Sequence, residues 1–97
     1  MLSPGTAVCW KAARHHSRLR GRVVALIEAG RAPAQVAPEL IGLKTTQVRF
    51  SNARQPRQHA HYLISREERN QLGVDQIVYY LPAASRVEPV RELGQAS

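Results

Sequence analysis

Three features of this 97-residue chain predict an all-α fold, a small helical domain of four to five helices containing a helix-turn-helix. Apolar residues recur at Leu19, Val23, Leu26 and Ile27, and again at Val74, Ile77, Val78 and Leu81. Both sets follow the three-and-four spacing that lines one face of a helix. Between them, Leu40-Ile41-Gly42-Leu43 leads into Thr45-Thr46-Gln47-Val48-Arg49. A short apolar segment, a glycine turn and a polar segment form the layout of a helix-turn-helix.

The first helix is expected over residues 6–29, or as two helices joined near Gly21. Lys11, Arg14, Arg18 and Arg22 would occupy its solvent face, and Gly30 would close it in a left-handed turn. Pro33 suits the first turn of a second helix reaching Ile41, although Pro38 should kink that helix or delay its start. Thr45 then caps a recognition helix over 46–54, which Pro56 ends. Ser65-Arg66-Glu67-Glu68 reads as a capping box that opens a helix over 66–72, weakened at Gly73. The last helix follows the 74–81 stripe up to Pro82. A strand is an alternative for 74–81 on its Ile and Val content, but no partner strand is evident. Residues 1–82 therefore form the domain, and 83–97 are expected as a flexible tail.

Charge points to a polyanionic partner. Fourteen Lys and Arg stand against seven Asp and Glu, a net charge of +7. Twelve of the fourteen cations are arginine, whose planar fork suits phosphate and guanine. Residues 1–66 hold eleven of these cations and only Glu28 and Glu39 as acids. Such a surface attracts nucleic acid, because each neutralised phosphate releases condensed counterions.

Within the helix-turn-helix, Gly42 would supply a positive φ and Leu43 and Val48 would seat the second helix. That arrangement exposes Thr45, Thr46, Gln47, Arg49 and Asn52 as base-reading residues. Lys44, Arg54, Arg57, Arg18 and Arg22 are the candidate phosphate-binding residues, with Arg14, Arg20 and His59 nearby. Val74, Ile77, Val78 and Leu81 either close the core or form an interface, and Tyr79 and Tyr80 would suit the latter.

Other classes find little support. His15, His16, His59, His61 and Cys9 lack metal-ligand spacing, so no metal and no cofactor is expected. No paired carboxylates or phosphate-cradling glycine loop suggest an enzyme. A single cysteine suits a reducing compartment, and no run of about 18 apolar residues occurs. Lys11 and Arg14 interrupt any signal-peptide core, so a cytoplasmic protein without a membrane partner is expected.

Ala25-Leu26-Ile27-Glu28-Ala29-Gly30, Leu40-Ile41-Gly42-Leu43, Val48-Arg49-Phe50 and Arg54-Gln55-Pro56-Arg57 resemble the N-terminal half of the flagellar master-regulator C-subunit family. The likeness covers about residues 19–81 and implies a helical DNA-binding activator that works with a partner subunit. Members of that family also carry a four-cysteine zinc module, whereas this chain has one cysteine. Ser51-Asn52 stand where the family tends to have Leu-Tyr.

The expected function is sequence-specific binding of double-stranded DNA by a transcriptional regulator, acting as a homodimer or with a partner subunit. The alternatives are a protein-interaction module docking through 74–81 and an RNA-binding protein. A single recognition helix touches few bases, which favours a paired arrangement.

Overall fold

Along Arg18-Leu19-Arg20-Gly21-Arg22-Val23 the arginines are exposed while Leu19 and Val23 are buried. That alternation is the period of a strand, and the segment is one. The computed structural model describes residues 1–12 and 18–90. Its strands are β1 (Ala7–Lys11), β2 (Arg18–Ile27), β3 (His61–Arg69), β4 (Asp75–Tyr80) and β5 (Glu88–Pro89). They form an antiparallel sheet in the order β4-β3-β2-β1-β5, so the chain runs as a four-strand meander whose fifth strand returns to the first.

This sheet replaces the all-α, helix-turn-helix fold expected from the sequence and implied by the family resemblance. The expected helix over 6–29 is β1 and β2, with residues 13–17 outside the described residues. In β2 the register shifts between Val23 and Ala25, so Val24 is an extra residue with no partner across the ladder. Leu19 and Val23 share a face at a spacing of four, and the bulge brings Leu26 back to that side three residues later. A bulged strand thereby reproduces the i, i+4, i+7 spacing of a helix. Ile27 faces the other way, into a second cluster.

The capping box at Ser65–Glu68 lies inside β3, and the 74–81 stripe is β4, paired from Ile64↔Tyr80 to Arg69↔Asp75. Between them the chain turns at Asn70–Gly73, with Gly73 at φ 79° and the Asn70 side chain accepting bonds from Leu72 and Val74 N–H. Over residues 83–90 the chain is not the expected tail. Ala84–Arg86 form a 3-10 turn and β5 pairs with β1 through Val8↔Pro89 and Cys9↔Glu88. Residues 91–97 lie outside the described residues.

The 28–60 connection between β2 and β3 contains one helical turn, α1 (Pro33–Val36), and 3-10 turns at Pro38–Gly42 and Thr45–Gln47. Backbone bonds from Gly30 N to Arg57 O (2.8 Å) and from Ala34 N to Ala53 O (2.8 Å) hold its limbs together. Pro38 opens a new turn rather than kinking a helix. Gly42 is exposed, has no left-handed φ, and approaches nothing, so it is no hinge. Thr45 makes no side-chain cap bond. The expected recognition helix ends at Gln47, because the edge of β4 captures the backbone. Val48 bridges Tyr79 in parallel, and Arg49 N donates to Tyr79 O at 2.9 Å.

Two apolar clusters hold the fold. On one side of the sheet, Val8, Trp10, Leu19, Val23, Tyr62, Ile64, Val78, Tyr80 and Val87 pack together. Trp10 on β1 lies 5.2 Å, ring centroid to centroid, from Tyr80 on β4. Those strands stand three places apart in the sheet, so the sheet curls around this cluster. On the other side, Ile27 and Leu63 meet Ala37 and Leu40 from the 28–60 insertion. Gly21 makes the curl possible. A Cβ there would come 2.5 Å from the Ser65 carbonyl oxygen and 2.7 Å from Ile64 Cγ2.

Candidate functional site

The insertion covers only part of the outer sheet face, and the uncovered part is cationic. Register places Lys11 opposite Arg18, Cys9 opposite Arg20 and Ala7 opposite Arg22. Directly opposed residues of an antiparallel pair share a face, so Lys11, Arg18, Arg20 and Arg22 project together and all are exposed. Alternate residues of a strand repeat at about 6.8 Å, which makes the three arginines an evenly spaced row.

Two adjoining grooves run along this face. One is lined by Arg20, Arg22, Ser65, Arg66 and Glu67, beside Ala7 and Ile77. The other is lined by Lys11, Arg18, Ser85, Arg86 and Glu88. Arg66 points to the other face and is bound to Glu68, so five cations meet two carboxylates on this face, a net charge of +3. Arg18 is paired with Glu88 at 3.0 Å, and Arg22 donates to the Gly5 carbonyl at 3.0 Å. Lys11, Arg20 and Arg86 have no ion-pair partner among the described residues.

Beside this face, an ion-pair network clamps the insertion to β3. Glu68 accepts from the Tyr80 hydroxyl, from Arg66 Nε at 3.0 Å and from Arg49 Nη2 at 3.4 Å. Burial alone would push this carboxyl up. Hydrogen bonds from Tyr80 and Arg66, with the charges of Arg49 and Arg66, outweigh that and hold it below its ordinary value. A folded-state value below the unfolded one gives stability that is present above the unfolded pKa and lost as pH falls through the folded pKa. Glu68→Gln is therefore expected to flatten the loss of stability below about pH 4. Urea midpoints measured from pH 7 to pH 3 check this; an acid limb as steep as the parent's would refute it.

The expected base-reading set does not assemble. Thr45 and Thr46 are exposed, while Gln47 turns back toward the Lys44 N–H (3.4 Å). Arg49 is held by the Thr46 carbonyl (2.7 Å) and by Glu68. Asn52 sits in a turn at φ 61°. These five residues share no helix face, because there is no helix to carry them. Among the expected phosphate-binding residues, Arg18 and Arg22 stand in the arginine row, and Lys44 and Arg54 are exposed on the insertion. Arg57 is a structural residue: its guanidinium donates to the Ser51 carbonyl, and its Nε is buried without a partner. Arg14, His15 and His16 lie outside the described residues.

The expected interface residues divide. Val78 is fully buried and Leu81 packs against the second cluster, whereas Val74 is 57% exposed and Ile77 is 44% exposed. Leu72 beside them is 87% exposed. Arg86 belongs to no expected site, because the sequence predicts a tail over 83–97. The alternation of arginine with apolar residues along 18–23 was the signal available for the row.

Among the described residues, no group of three or more His, Cys, Asp or Glu could hold a metal ion. No helix among them is long and apolar enough to cross a membrane. Comparison of the chain with protein families, with curated proteins and with solved structures gives no match.

Proposed function

We propose that this protein binds nucleic acid through the exposed cationic face of β1 and β2. The observation that carries this reading is the row Arg18, Arg20 and Arg22 with Lys11 opposite, set at strand spacing by the β1–β2 pairing. Contacts of this kind engage phosphates and set the ligand's orientation. Duplex DNA, the partner expected from the sequence, would meet a strand face here, as it does in β-ribbon readers. A cytoplasmic setting belongs to the same reading, since a lone Cys9 on that face suits a reducing compartment.

A net charge of +3 on this face sets the expected salt response. Neutralising about three phosphates gives a log–log salt slope of roughly −2 to −3, roughly a twenty- to fortyfold loss of affinity between 50 and 200 mM salt. Fluorescence anisotropy with a labelled oligonucleotide measures it. Affinity indifferent to salt, or no binding at 50 mM, would overturn the proposal.

A second reading, self-association, rests on the exposed apolar residues Leu72, Val74 and Ile77 beside the edge strand β4. Exposed sheet edges with apolar side chains pair readily. Light scattering on the same samples reports it: a dimer supports pairing, and a monomer at high concentration rules it out.

A further inference from the structure

We propose that an open pocket at the end of the cationic face takes an unpaired nucleobase, so that the preferred ligand is single-stranded nucleic acid. This inference rests on the nucleic-acid reading and assigns it a ligand class. The pocket lies between the end of β1, the insertion and the turn after β4, and its volume is about 340 Å³. That is at the lower end of the range for ligand sites.

Three properties of the pocket point to a base. First, Phe50 is half-buried on its wall and is the ring a base can reach, while the buried Trp10 and Tyr80 contribute only edges beside Leu81 and Pro82. Aromatic surfaces hold bases by stacking, with little dependence on sequence. Second, its charged lining is cationic: Lys11, Arg49 and Arg86 line it, with His61, and of these cations Arg49 alone has an acidic partner, Glu68 at 3.4 Å. His61 Nδ1 donates to the His59 carbonyl at 2.7 Å, since a carbonyl only accepts. An aromatic ring attached to an anionic backbone complements such a surface; a purely acidic chain would leave the aromatic wall unused.

Third, the pocket is continuous with the arginine row. Lys11, Ala12 and Arg86 line both the pocket and the neighbouring groove, and that groove carries Arg18. A strand with one base in the pocket can therefore lay its next phosphates along Arg18, Arg20 and Arg22. A duplex keeps its bases stacked inside and can use only the arginine face, as extruding one means unpairing and unstacking it.

The decisive comparison uses the unaltered protein. Its ligands are a twelve-nucleotide oligothymidylate, a baseless oligomer with the same number of phosphates, a twelve-base-pair duplex and a polyglutamate peptide. Anisotropy competition gives affinities, and Trp10, the only tryptophan, reports pocket occupancy by its fluorescence. The intact oligomer is expected to bind at least tenfold more tightly than the baseless one and to be the only ligand that quenches Trp10. Phe50→Leu, which keeps the apolar volume but removes the ring, is expected to erase most of that advantage and leave duplex affinity unchanged. Equal affinity for the intact and baseless oligomers would overturn the pocket assignment while leaving the arginine face intact. Failure of all three nucleic acids to bind, or preference for polyglutamate, would overturn the nucleic-acid reading as well.

Discussion

Trp10→Ala is expected to cost about 3–5 kcal/mol of folding stability, the range for truncating a buried aromatic residue. Domains of this size are stable by only about 5–15 kcal/mol, so the variant should be marginally folded. Trp10 is the largest fully buried side chain among the described residues, and it packs on Tyr80 with the rings inclined at 59°. What makes it costly is its position. It links β1 to β4 across the interior of the curled sheet, where neither strand hydrogen-bonds the other. Removing the indole leaves a cavity that the ladders cannot close without uncurling, and Gly21 already brings β2 close against Ile64 and Ser65. Urea denaturation followed by far-ultraviolet circular dichroism gives the measurement. A midpoint shift worth under about 1 kcal/mol would mean that the curl does not depend on this contact.

The second large effect concerns the ligand. Replacing Arg18, Arg20 and Arg22 together by alanine is expected to reduce the salt slope by about 2–3 units and affinity at 50 mM salt by roughly a hundredfold or more. The fold should tolerate this. The three side chains are exposed, Leu19 and Val23 keep their packing on the other face, and solvent screens an exposed pair such as Arg18–Glu88. Arg31, Lys44 and Arg54 supply the control. They are exposed cations of the insertion, and replacing all three removes the same net charge from a different surface. If the two triple variants lose affinity equally, binding follows overall charge and the row has no special part in it.

The distance between the sequence reading and the structure has identifiable causes. Leu19, Val23 and Leu26 repeat as on a helix because a bulge at Val24 adds one residue to a period of two. The neighbouring signal was plain, since Arg18, Arg20 and Arg22 alternate with Leu19, Gly21 and Val23. Lack of an evident partner counted against a strand over 74–81. That partner is β3, which stretches across Ser65–Glu68, a run equally suited to a helix start and to a strand with Arg66 and Glu68 on one side. Thr45-Thr46-Gln47 does begin to turn, and the β4 edge then draws Val48 and Arg49 out of it. Gly30 is left-handed as expected at φ 87°, but it follows a strand. The 83–90 segment looked featureless because a two-residue edge strand carries no period of its own.

Residue order alone determined the excess of positive charge, its concentration before residue 67, and the alternation that sends three arginines to one side and apolar groups to the other. Tertiary structure decided whether those apolar stripes became helices or strands, and it brought Lys11, Arg86, Arg49 and Phe50 around one pocket. The physical reason is that a strand gains its hydrogen bonds from another strand. For β2 that partner begins 34 residues beyond its end, and no local spacing records such a pairing.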